Sequence, residues 1–167
     1  MENPIQHKKR PMIIITILLS GLVAGLLYGY ACSVNPGLHQ LGDREYLSAM
    51  QSINIAIQNP VFFISFMGSI IFFAITTFQL RGQHQTAFNY MLIATIIYII
   101  GVFGVTMFAN VPLNNRLANF NIATASTLDI ANMRTAFEQR WNTFHIVRTI
   151  AAITSFLLSS LALTTTR

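Results

Sequence analysis

Apolar residues gather in four long runs, Met12 to Val34, Pro60 to Leu80, Phe88 to Ala109 and Phe144 to Thr164, divided by polar stretches. Each run holds 21 to 23 residues. A helix rises about 1.5 Å per residue, so each is long enough to cross a hydrocarbon core of about 30 Å. The pattern predicts an all-α protein: an integral membrane four-helix bundle with an extra interfacial helix and an extended outer segment, in one domain over residues 1–167.

The stretches between the runs differ in kind. Asn35-Pro36-Gly37 is expected to end span one, because proline lacks the amide that continues a helix. Over residues 43–59 the periodicity becomes amphipathic: Tyr46, Met50, Ile53 and Ile57 share one face, with Gln51, Asn54 and Gln58 beside it. That segment is too short and polar to span, and is expected to lie over the outer mouth of the bundle. Arg81 to Thr86 forms a short inner loop between spans two and three. The outer segment 110–143 is rich in asparagine, and Ser126, Thr127 and Asp129 offer helix caps. From Asp129 onward there is neither glycine nor proline. One helix of about 35 residues, roughly 52 Å long, is therefore expected to begin in water and finish as span four. Gly21, Gly25 and Gly29 recur at intervals of four in span one, a small-residue face suited to close helix approach, with a counterpart in Ala152, Ser155 and Ser159.

Composition strengthens the membrane reading. Hydrophobic residues make up 53% of the chain and charged residues 9%, against about 25% charged in soluble domains. The excess of ten Lys and Arg over five Asp and Glu does not point to nucleic acid. Its only cluster, Lys8-Lys9-Arg10, precedes span one directly and reads as a topology signal. Both termini are expected in the cytoplasm of a bacterial inner (plasma) membrane. Cys32 is the single cysteine, which excludes an internal disulfide or a CxxC redox pair.

Three of the four runs contain no charged or histidine side chain, whereas the fourth contains His145 and Arg148. Along the long helix Arg134, Glu138, Trp141, His145, Arg148, Ala152, Ser155 and Ser159 recur at steps of three and four and form one stripe. It is charged above, aromatic at the interface, basic just inside and small at depth. Two readings fit Arg148, about 6 Å below the edge of its run: a side chain snorkelling to the headgroups, or one facing a cavity. His145 reads as a residue of that cavity or as an interfacial histidine with one backbone hydrogen bond. The amides Gln51, Asn54, Asn110 and Asn114 either satisfy loop backbone or orient the oxygens of a flat, neutral ligand. No HxxxH or HxH spacing points to a metal.

These residues carry a family resemblance. The elements are the glycine-rich first span with Asn35-Pro36-Gly37-Leu38, then Met50-Gln51-Ser52-Ile53-Asn54 before Asn59-Pro60. Val111-Pro112-Leu113-Asn114-Asn115-Arg116-Leu117 follows, and Trp141, His145 and Arg148 open span four. Together, over nearly the whole chain, they resemble the anthrone oxygenase-like family of small four-span membrane proteins. The resemblance implies oxidation of a phenolic or anthrone-type aromatic by dioxygen without a cofactor, in an outward-facing pocket. It implies His145 and Arg148 as catalytic residues and Trp141 and Asn114 as substrate-binding residues, which Gln51 and Asn54 join on their own amide chemistry. The expected partners are the lipid bilayer, a small aromatic ligand, and a second copy or another membrane protein. A non-enzymatic membrane subunit, holding a partner through the outer segment, stays open beside this reading. A transporter is the weakest alternative, because spans one to three lack a charged coupling residue.

Overall fold

A computed structural model describes residues 10–82 and 84–166; the basic residues Lys8, Lys9 and Arg167 lie outside the described residues. All regular structure among the described residues is helical. Five helices follow in order: α1, Pro11–His39; α2, Asp43–Ala56; α3, Pro60–Leu80; α4, Gln85–Ala118; and α5, Thr127–Thr164. All except α2 are long and apolar enough to cross a membrane. Each of these four packs against two others, α1 beside α3, α3 beside α4, α4 beside α5, and α5 back against α1.

The predicted stop of span one is not a stop, and the fourth helix likewise runs past its own proline. Neither Asn35-Pro36-Gly37 nor Asn110-Val111-Pro112 ends its helix; α1 runs on to His39 and α4 to Ala118. The reason is the same at both prolines. A wide turn, Tyr30–Val34 before Pro36 and Thr106–Asn110 before Pro112, precedes each ring. Asn35 N–H donates to the Tyr30 carbonyl, and Val111 N–H to the Thr106 carbonyl, five residues back instead of four. The extra residue carries the backbone around the proline ring, which would otherwise press on the carbonyl four positions earlier. The outer segment is thus partly the end of α4, then a connection over 119–126, then α5.

The expected long helix is present and extends over 38 residues. Ser126 caps it, its Oγ accepting from Asp129 N–H at 3.2 Å. The amphipathic segment forms α2 over Asp43–Ala56, shorter than 43–59. Beyond it Asn59 caps α3, Oδ1 accepting from Phe62 N–H at 3.0 Å, and Pro60 sits in the first turn where its missing amide costs nothing.

Two cores result. The deep one lies among the spans and includes Phe73, Met91, Tyr98, Val102 and Ala152. Its hydroxyls pair across helices, Thr16 with Thr76 at 2.9 Å and Thr77 with Thr95 at 2.8 Å, as buried polar groups must. The second core joins Tyr46, Leu47 and Met50 of α2 to Leu117 of α4 and Ile130, Phe137 and Trp141 of α5. Helix α2 therefore roofs the end of the bundle opposite the 81–84 turn. Polar clamps hold it there. Arg134 donates to Asp43 at 3.0 Å, to Glu138 at 2.8 Å, and to the carbonyls of His39 and Leu41. Arg44 reaches the carbonyls of Ile122 and Ala125. Burial, reinforced by the Glu138 carboxylate, pushes the Tyr46 phenol well above its usual range, so it stays neutral.

The glycine stripe of span one does not form the expected seam. α1 and α5 are neighbours, but a Cβ at Gly25 or Gly29 would meet nothing within 4 Å, and only Gly21 faces α5, at Phe156. The buried face of α1 consists of Ile13, Thr16, Ser20, Val23, Ala24 and Leu27 instead. The counterpart face Ala152, Ser155 and Ser159 is fully buried.

Candidate functional site

The α5 stripe faces inward. Phe137, Trp141 and His145, one turn apart, are all buried, and His145 is only 1% exposed. Their rings form a ladder. Phe137 stacks on Trp141 with centroids 6.3 Å apart, and Trp141 on His145 at 5.0 Å with 8° between the planes. Tyr30, at the start of the wide turn in α1, closes the side of the ladder, 5.5 Å from Trp141 and 5.3 Å from His145. Its hydroxyl donates to Met50 Sδ at 3.4 Å, a weak acceptor.

Both ring nitrogens of His145 have partners. Nε2 lies 3.1 Å from the Leu27 carbonyl, which can only accept, so Nε2 carries the proton. Nδ1 is then the acceptor, and it receives the Arg148 guanidinium through Nε at 3.3 Å and Nη2 at 3.0 Å. Arg148 Nη1 donates to Thr106 Oγ1 at 3.4 Å, and the guanidinium carbon sits 5.1 Å from the centre of the Trp141 ring. The ion pairs among the described residues use Arg134, His39, Asp43 and Glu138 and leave Arg148 without a carboxylate. A cation at membrane depth is thus held by an imidazole, a hydroxyl and an aromatic face. It is not a snorkelling side chain alone.

Helix α4 supplies the facing row. Thr106, Asn110 and Asn114 stand four apart, below, beside and above the ladder. Asn114 Oδ1 accepts from the Trp141 indole N–H at 2.8 Å. Asn110 Nδ2 donates to the Trp141 carbonyl at 3.2 Å, while its Oδ1 is buried with no partner among the described residues. The second wide turn ends at Asn110 and so sets the register of this row.

The structure therefore brings together Trp141, Asn110, Asn114, His145 and Arg148 and adds Tyr30, Thr106 and the Leu27 carbonyl. It places Gln51 elsewhere: Nε2 donates to the carbonyls of Leu117 at 2.8 Å and Phe120 at 3.0 Å, tying α2 to the end of α4. Asn54 Nδ2 is buried without a partner among the described residues. Two surface cavities, of about 450 and about 610 Å³, lie away from the ladder. Because His145 is 1% exposed, entry of a ligand beside it requires its neighbours to move. Among the described residues no three His, Cys, Asp or Glu side chains converge as a metal cage.

One of the added residues had a readable signal. Thr106 shares the i, i+4, i+8 face of the candidate amides Asn110 and Asn114, so the row can be read from spacing alone. Tyr30 and the Leu27 carbonyl gave none, because their approach depends on how α1 packs on α5.

Comparison with known proteins agrees with this architecture. The family model described as anthrone oxygenase matches residues 61–158, which hold the row on α4 and the ladder on α5. No curated protein and no solved structure matches the chain.

Proposed function

The chain belongs to the anthrone oxygenase family, and on that premise we propose that it is a membrane-embedded, cofactor-independent oxygenase of phenolic or anthrone-type aromatics. The observation that carries this reading is the pairing of His145 Nδ1 with an Arg148 that has no carboxylate, under the face of Trp141. A base and a cation are matched there in a setting of low dielectric, where each acts strongly on a ligand.

The chemistry follows from the donors. An anthrone ketone oxygen takes over the Arg148 N–H groups that His145 now holds, and this releases Nδ1 as a base. Nδ1 removes one proton from the ring methylene, and the resulting enolate oxygen stays on the guanidinium. Nε2–H keeps its bond to the Leu27 carbonyl, which steadies the imidazolium that forms. The electron-rich carbon then reduces dioxygen and forms a carbon–oxygen bond. The hydroperoxide loses water to give the quinone. One oxygen atom ends in the new carbonyl, and the other leaves as water with the two methylene hydrogens. Trp141, fixed by Asn114 and Asn110 and stacked between Phe137 and His145, holds the imidazole in register and borders the substrate rings with its edge.

The test is conversion of an anthrone to its anthraquinone by the purified protein in detergent. The rate should exceed the protein-free rate in air and vanish without oxygen. A rate equal to the protein-free one rejects the reading.

A further inference from the structure

A groove at the other end of the molecule is unrelated to the ladder. It measures about 610 Å³, within the roughly 300–1,000 Å³ of small-molecule sites, and lies between α3 and α4. Its walls are Ala74, Phe78 and Phe88, and its mouth carries Arg81 and Gln85. The hydroxyls on its floor, Thr77 and Thr95, bond to each other at 2.8 Å and ask for no polar ligand. Phe78 is 76% exposed within a membrane-crossing helix, so the groove opens sideways to lipid. Arg81 follows the last residue of that helix, at the level where the hydrocarbon ends. None of the ion pairs among the described residues uses it.

Charge says which lipid suits this groove. The Thr16–Thr76 bond sets the start of α1 beside the end of α3. In the sequence Lys8, Lys9 and Arg10 directly precede α1, and Arg81 directly follows α3. The opposite end balances Arg44, Arg116, Arg134 and Arg140 with Asp43, Glu45, Asp129 and Glu138. Basic pockets between spans at a positive membrane face suit acidic headgroups. A guanidinium presents paired donors to a phosphate diester.

We propose that this groove is a binding site for an anionic phospholipid, its phosphate on Arg81 and an acyl chain along Ala74, Phe78 and Phe88. Zwitterionic lipid has the same chains and phosphate but brings its own cation, which the surplus positive charge disfavours.

Native mass spectrometry of the detergent-purified chain tests this, titrating phosphatidylglycerol and, in parallel, phosphatidylcholine with the same acyl chains. Wild type should retain one phosphatidylglycerol in preference to phosphatidylcholine. Arg81→Gln, a change on an exposed turn, should lower phosphatidylglycerol retention about fivefold. Ala74→Trp, which fills the groove, should lower retention of both lipids, and excess inorganic phosphate should not displace the bound lipid. Equal retention of the two lipids by wild type, or an unchanged preference in Arg81→Gln, overturns the proposal. So does full displacement by inorganic phosphate.

Discussion

Trp141 is held at three points: its indole N–H by Asn114, its carbonyl by Asn110, and its ring between Phe137 and His145. The residue is 4% exposed, so an indole N–H left without a partner is not repaired by water. Asn114→Ala should therefore cost about 1–3 kcal/mol, the usual penalty for orphaning a buried donor. Thermal unfolding of the purified protein checks it. In a Trp141→Phe background the same substitution should cost much less, because no donor remains to be orphaned; equal costs would mean that Asn114 acts elsewhere. At this scale the sequence was informative about α5 and poor about its partners. Spacing alone put Trp141, His145 and Arg148 on one stripe. Gln51 shows the limit, since an amide that binds the Leu117 and Phe120 carbonyls looks the same in sequence as one that would meet a ligand.

The helices show why run length was legible and run ends were not. Apolar composition marks the helix end at the 81–84 turn, where α3 stops at Leu80 and Arg81 follows. At the opposite end of the bundle proline was the main punctuation available. The wide turns at Tyr30–Val34 and Thr106–Asn110 let both helices pass it. Those same turns carry Tyr30, Thr106 and Asn110, so the irregularity that hid the helix ends also builds the site. Glycine spacing misled for a related reason, because periodicity does not say which side of α1 meets a neighbour. The glycine that close packing requires is Gly101, where an added Cβ would stand 2.6 Å from Ala151 Cβ on α5. Gly101→Ala should force α4 and α5 apart and cost about 1–3 kcal/mol. The double variant with Ala151→Gly should regain most of the loss in a thermal melt. No recovery would place the strain outside this contact.

Taken as a whole, the molecule is a membrane bundle with one roofed end. Four candidate spans put the residue 81–84 turn on the face opposite residues 40–59 and 119–126. We propose that the turn face is cytoplasmic, following the basic cluster before α1. Reporter fusions at residue 84 should then read inside and those at residue 125 outside; the reverse result would invert the protein and move the ladder to the inner leaflet. The central claim is that His145 is the base and Arg148 holds the enolate oxygen. Oxygen uptake with an anthrone, at equal amounts of folded wild type, His145→Ala and Arg148→Lys, tests it most directly. Removing a general base typically costs about 10²–10⁴ in rate. His145→Ala should fall by that much, and Arg148→Lys should also fall, because a point charge does not replace a planar fork. If both variants take up oxygen as fast as wild type, the ladder is a packing feature and not a catalytic one, and a partner-binding membrane subunit becomes the better account.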